Sequence, residues 1–425
     1  MKRNWFRLDN AALIFPAIIG RKWSNAFRLS VTLAETVDPE ILAQAAKDMR
    51  PRFPTCFVRL KTGFFWYYLE EISSAGCVHE EYAYPLTYMS RTELKKSCIR
   101  ILYFKNRIAV EIFHSVTDGT GGLIFLQNLT ARYLELKYGV TAEKSGYLVD
   151  LSMPPKKEDL RDCFPLHSSK YSLTRHESNA YRLSGTPETD GYRHLITGVC
   201  PTKALLEKAH EHGATLNTFL SAVMAEAICE IQRDTLDERG WKPVKITVPV
   251  NLRKMYKEYT MRNFALTLNV GFDPRYGSYT LDELCSLLTH QIAAEATPQK
   301  MSGDIAANVK PQKNPIIRVM PLPVKSAVMR AVYSARGEKR GCINISNLGQ
   351  SDMPAQYAEY IERFEFIIGV QQTYPNNCSV ISFGENTYIN MIRSIKESEL
   401  ERRFFSRLVE LGVPVEIEYD EKGRR

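Results

Sequence analysis

The chain has 425 residues, of which 44% are hydrophobic and 24% charged. That length exceeds one ordinary core and that balance is globular, which excludes a disordered or fibrous chain and predicts two domains. A net charge of +8 is modest, and with no recognised motif beside the basic residues nucleic acid is not an expected partner.

In chain order, the apolar run Ala11 to Ile19 contains Pro16. It is shorter than the ~20 residues a membrane helix needs and lacks a secretory layout, so no membrane span and a cytoplasmic location are expected. Asp38-Pro39 opens a helix, with an N-cap followed by proline at the first helical position. "CFVRL" and "FFWYYLEE" flank the expected turn Lys61-Thr62-Gly63, and "CIRILYF" and "IAVEIFH" flank Lys105-Asn106-Arg107, giving two hairpins. The polar, proline-bearing stretch 151–190 reads as an interdomain connection between an N-terminal unit, 1–150, and a C-terminal unit, 191–425.

In the second half, "TLNTFLSAVMAEAICEIQ" places Leu216, Phe219, Leu220, Val223, Met224, Ala227, Ile228 and Ile231 on one helical face, a core helix. Thr280 with Glu283, and Ser398 with Glu401, have the spacing of capping boxes. Between Lys310 and Arg340 lie Lys313, Arg318, Lys325, Arg330, Arg336, Lys339 and Arg340 among apolar residues. They read either as a solvated face or as an attractor for an anionic ligand such as a nucleotide-bearing cofactor. The 9 cysteines are scattered singly, so they read as reduced core thiols, and no metal is implied. Hairpins mixed with helices predict an α/β class with mixed sheets.

The stretch richest in chemistry is 108–122, "IAVEIFHSVTDGTGG". His114 continues the strand face of Ile108, Val110 and Ile112, and emerges where that face ends. One reading makes it a core histidine with Asp118 as an N-cap and the glycines permitting a tight turn. A dinucleotide site is rejected, because Ile124 stands where the last glycine of G-x-G-x-x-G belongs. The third reading is a general base, since imidazole titrates near ~6.5 and accepts a proton once another group fixes its tautomer. Asp118 is then best explained by pairing with an arginine, for which Arg253 is the candidate.

"HSVTDG" resembles the H-x-x-x-D-G signature of the chloramphenicol acetyltransferase-like superfamily, which includes condensation domains, plant BAHD acyltransferases, wax ester synthases and alcohol acetyltransferases. "GATLNTFLSAVMAEAI", "ITVPVNLRKMYKEYTMRNFALTLNV", "INISNLGQ" and "YINMIRSIKESELERRFFSRLVELG" resemble further elements of these proteins, in the same order. The resemblance implies two chloramphenicol acetyltransferase-like subdomains forming a pseudo-dimer around a central channel, with the motif in the first.

It also implies an acyltransferase that moves an acyl group, acetyl or short-chain, from a coenzyme A thioester to a hydroxyl or amine, with no acyl-enzyme. His114 and Asp118 would form its catalytic motif, His114 as base and Asp118 as its structural member. Arg253 and Asn263 would support the site, and Gly119, Ser346, Asn347 and Gly349 would line the channel or supply oxyanion donors. Acyl-coenzyme A is then a co-substrate and no cofactor is permanently bound. A small alcohol or amine is the acceptor, and the internal pseudo-dimer points to a monomer. A carrier-protein-fed enzyme of the condensation type and a non-catalytic binding module remain the alternatives. Phe113 replaces the first histidine of the longer motif, the plant D-F-G-W-G signature is absent, and "SNLG" points to the alcohol acetyltransferase and wax ester branches.

Overall fold

The computed structural model describes residues 4–20, 23, 25–73, 76–144, 146–173, 177–189, 191–336, 339–371 and 374–419, with backbone only at 335 and 336. Among the described residues the strands form three sheets. The first of the two large sheets runs Ile361–Ile368, Ala26–Leu33, Arg107–Phe113, Ile99–Phe104, Val78–Glu80. Its neighbours are antiparallel except the last pair. The second runs Ala265–Phe272, Val244–Asn251, Ile343–Gln350, Asn376–Phe383, Asn386–Arg393, His194–Pro201, Glu416–Tyr419. Ile343–Gln350 is parallel to both its neighbours. Both sheets are mixed, and each has its own hydrophobic core.

The sheets meet where Ile361–Ile368, late in the chain, joins the first sheet beside Ala26–Leu33. From there Phe366 O accepts a hydrogen bond at 2.6 Å from Ser379 Oγ of the second sheet. The expected helix signals act largely as their chemistry dictates. Asp38 accepts from the amides of Glu40 and Ile41 at the start of Pro39–Met49, and Thr280 with Glu283 closes a complete capping box. Helix Leu216–Thr235 buries its expected face except at Leu216 and Ile231, which are half-buried, and also buries Ser221, Ala222 and Ala225, because it lies between the second sheet and the helices Leu281–Glu295 and Glu399–Glu410.

Two expectations need correction. Ser398 makes no side-chain cap, because Glu401 is buried and turns instead to Arg393 and Asn376, 3.4 and 3.3 Å away. The first hairpin begins its turn two residues later than expected: the Gly63 amide donates to Trp66 O at 2.9 Å. Phe64, Phe65 and Trp66 therefore sit in the turn between Val58–Thr62 and Tyr67–Glu71 rather than in a strand. Within the expected interdomain connection, the described residues 151–173 and 177–189 are largely irregular. Asp159 forms a buried ion pair with Arg52 at 2.6 Å, and Phe164 sits fully buried in the second core.

Beneath the first sheet lies an ionic cluster that the sequence pattern does not reveal. Arg28 bridges Glu81 at 3.0 Å and Glu111 at 3.2 Å, and Glu111 also meets Arg100 at 2.8 Å. Among the described residues no single helix is long and apolar enough to cross a membrane.

Candidate active site

Arg107–Phe113 delivers His114 to the end of the first sheet, where its amide donates to Asn25 O at 2.9 Å. Phe113 is fully buried in the core, while His114 is half-buried. The imidazole stacks on Phe15, ring centroids 4.6 Å apart at 24°, and meets the edge of Phe27 at 5.2 Å. Both planes restrict ring rotation.

Its Nδ1 lies 3.0 Å from Asn263 Oδ1. The direction of that bond follows from the other end of the amide. Asn263 Nδ2 donates to Asp9 Oδ2 at 3.0 Å and to the His114 carbonyl at 3.0 Å. Turning the amide over would set its oxygen against two acceptors, so Oδ1 faces the ring and Nδ1 carries the proton. Nε2 therefore keeps its lone pair, and among the described residues it has no hydrogen-bond partner. Asp9 is itself held by Arg262 Nε at 3.4 Å and by the amides of Asn263 and Ala12 at 3.3 and 2.8 Å.

Asp118 serves two structural tasks. Oδ1 caps the helix Gly119–Tyr138 by accepting from the Gly121 amide at 3.1 Å. Oδ2 accepts from Arg253 Nη1 and from the Phe264 amide, each at 2.8 Å. Burial pushes this carboxyl up, but the Arg253 charge and these hydrogen bonds outweigh it and hold it below the usual carboxylate range. Its contacts are with the helix start and with 253–264, not with the imidazole. Arg253 also donates to Thr260 O at 2.9 Å and Arg262 O at 2.5 Å, fixing the chain just before Asn263.

The glycines after Asp118 are dictated by packing. A Cβ at Gly121 would lie 2.0 Å from Thr117 Oγ1, and one at Gly122 2.7 Å from Phe27 Cε2. At Gly119 it would meet Leu348 at 3.0 Å and Phe366 at 3.2 Å. Its amide opens the helix, where backbone donors lack intrahelical partners.

Ser346, Asn347 and Gly349 are half-buried at the end of Ile343–Gln350. Asn347 Oδ1 accepts from the Gly349 amide at 2.8 Å, and Gly349 has φ 76°, so these two shape a bulge. Leu348 between them is the side chain that reaches Gly119. The fold thus gathers His114, Asp118, Gly119, Arg253 and Asn263 tightly, and brings the 346–349 segment alongside through Leu348.

No protein-family model and no curated protein matches this sequence. Solved structures match over nearly its whole length. F. graminearum TRI101, complexed with coenzyme A and deoxynivalenol, aligns with a TM-score of 0.66 at 11% identity, covering 97% of this chain and 99% of that one. Trichothecene 15-O-acetyltransferase TRI3 from Fusarium sporotrichioides gives 0.62 at 12%, covering 96% and 94%. The starter condensation domain of rhizomide synthetase RzmA gives 0.58 at 13%, covering 96% and 94%. The chain has the chloramphenicol acetyltransferase-like fold.

Within that fold, two residues that complete the environment of His114 escaped the sequence reading. Asp9 is fully buried and orients Asn263, and Phe15 covers the imidazole. Both come from the N-terminal segment, which Ser115 Oγ ties down by donating to Ala12 O at 3.1 Å. An isolated aspartate and a phenylalanine in an apolar run carry no spacing signal that links them to a histidine a hundred residues later.

Proposed function

We propose that this protein is an acyltransferase in which Nε2 of His114 is the general base, acting between an acyl-coenzyme A thioester and a hydroxyl or amine acceptor. The observation that carries this reading is the Asn263 amide, whose two donated hydrogen bonds leave only its oxygen for Nδ1. That fixes the one tautomer able to take a proton through Nε2.

In the reaction, Nε2 removes the acceptor's proton as its oxygen or nitrogen attacks the thioester carbonyl. The tetrahedral adduct then collapses, the carbon–sulfur bond breaks, and the imidazolium returns the proton to the departing thiolate. No side chain is acylated, so no enzyme nucleophile needs activation. Holding two substrates across one base supplies orientation, a large part of the acceleration such sites give. The Gly119 amide at the helix start is the donor assigned to the oxyanion. Arg253 and Asp118 act as positioning residues, holding the loop of Asn263 to the helix that follows His114. Coenzyme A as the donor is supported by the coenzyme A complexes of TRI101, and an acetyl or other short acyl group passed to an alcohol is the finer reading.

The test is thiol release from a panel of acyl-coenzyme A donors and alcohol or amine acceptors, with acyl-carrier thioesters as a separate arm. His114→Ala should lose about 10²–10⁴-fold. Background is low because all described cysteines are buried, and burial pushes Cys56, Cys200 and Cys342 up to about 12. Equal turnover by wild type and His114→Ala rejects the base. Ligand binding without turnover across the panel moves the protein to the non-catalytic class.

A further inference from the structure

Helix Leu322–Arg336 wears its apolar stripe on the outside. Val324, Val328 and Val332 recur every four residues, and stand 51%, 49% and 54% exposed. The face turned toward the protein carries Leu322, Ser326 and Tyr333 instead, with Leu322 and Ser326 buried and Tyr333 stacked on Trp23 at 6.0 Å. A helix that buries a serine and exposes its valines is oriented for a second environment. The short helix before it, Pro315–Val319, likewise exposes Ile316 and Val319.

The aromatic turn displaced from the first hairpin extends the same surface. The Leu322 amide donates to Phe64 O at 2.9 Å, and Lys325 Nζ donates to Phe65 O at 2.9 Å while lying 5.5 Å over the Trp66 ring. Phe64 and Trp66 are both exposed. Charge says what covers this face. Residues 305–337 contain Lys310, Lys313, Arg318, Lys325, Arg330 and Arg336 and no aspartate or glutamate. Among these Lys310, Lys313, Arg318 and Arg330 are exposed, and the side chain of Arg336 lies outside the described residues.

An apolar stripe with exposed aromatic residues, in a segment whose only charged side chains are cationic, is the composition of a segment lying in a membrane interface, where apolar groups enter the headgroup boundary and cations meet anionic lipid. A soluble anion such as coenzyme A explains the charge but leaves the valines, Phe64 and Trp66 facing water. A second copy of this chain would set cation against cation across the contact. We propose that the face formed by 315–336 and the Phe64–Trp66 turn docks on an anionic lipid surface. It lies one element away from the candidate site, because Phe15–Ile18 packs against Leu322–Arg336 and carries the Phe15 ring that covers His114.

The test is co-flotation of the full chain with phosphatidylcholine vesicles, with and without phosphatidylserine, and it reads binding independently of any acyl transfer. Wild type should float with the anionic vesicles and be released by raised salt. The triple change Lys313→Glu, Arg318→Glu, Arg330→Glu should weaken binding by at least about 100-fold, since each basic residue near such a surface contributes about fivefold. Val324→Ser, Val328→Ser, Val332→Ser should weaken it by at least tenfold. All six positions are solvent-facing, and unchanged melting temperatures confirm folding. Any of three results overturns the proposal: no binding of wild type to anionic vesicles, full binding by the serine triple with competition by free coenzyme A, or a wild-type dimer in sedimentation that the serine triple dissolves.

Discussion

Replacing Arg253 with methionine keeps most of the volume and removes a guanidinium that serves Asp118, Thr260 O and Arg262 O together. Arg253 and Asp118 are 8% and 5% exposed, so water cannot take over these contacts. Breaking one partner of a buried ion pair costs about 3–5 kcal/mol, and two orphaned carbonyls add to it. The expected loss in urea denaturation is thus about 4–6 kcal/mol near neutral pH, a large fraction of a normal domain's stability. The sign of its pH dependence is also set. In the wild type the Asp118 carboxyl lies below its usual range, so its contribution is present above the unfolded value and fades as pH falls through the folded one. In the variant burial is opposed only by the Gly121 and Phe264 amides, so the carboxyl protonates more readily and its penalty shrinks on acidification. The gap between the proteins should therefore narrow from about pH 7 to about pH 4.5. A gap under about 1 kcal/mol at neutral pH, or one that widens in acid, refutes the reasoning.

Asn263→Ala removes the group that selects the imidazole tautomer, so kcat/KM should fall by about 5- to 150-fold, the worth of one orphaned buried hydrogen bond. The loss should lie mainly in kcat, which a steady-state comparison checks, and it should not exceed that of His114→Ala. Asp162 accepts from the Asn10 amide at 3.1 Å, and burial followed by the nearby Asp9 raises its carboxyl to about 6. Because the folded protein holds this proton more tightly than the unfolded chain, stability falls as pH rises from about 4 to about 6 and then levels. Relative to wild type, Asp162→Asn should therefore gain about 2–3 kcal/mol across that interval in denaturation curves, whatever its offset at pH 4.

Much of this architecture was legible because local chemistry and tertiary structure agree. Strand Arg107–Phe113 ends immediately before His114 as its pattern predicts, Asp118 caps its helix, and the ordered motifs name the fold that the solved structures share. Pairing Asp118 with Arg253 was legible from the cost of burying a lone carboxylate. What stayed hidden lies in contacts between distant segments. Nothing about Asp9 or Phe15 in sequence announces His114, and Glu401 has the spacing of a capping residue but a stronger partner in Arg393. The turn at Phe64–Trp66 was misplaced because aromatic residues favour strands, and here the Gly63–Trp66 closure and the neighbouring helix override that preference. The return of Ile361–Ile368 to the first sheet is likewise a matter of topology that no local pattern encodes.

The most direct measurement is the nitrogen spectrum of His114 in protein labelled with ¹⁵N at histidine, assigned by its loss in His114→Ala and recorded at a pH where the ring is neutral. The account predicts a protonated Nδ1 and a bare Nε2, with that preference weakened in Asn263→Ala. A proton resident on Nε2 in the wild type would leave the ring unable to act as the proposed base.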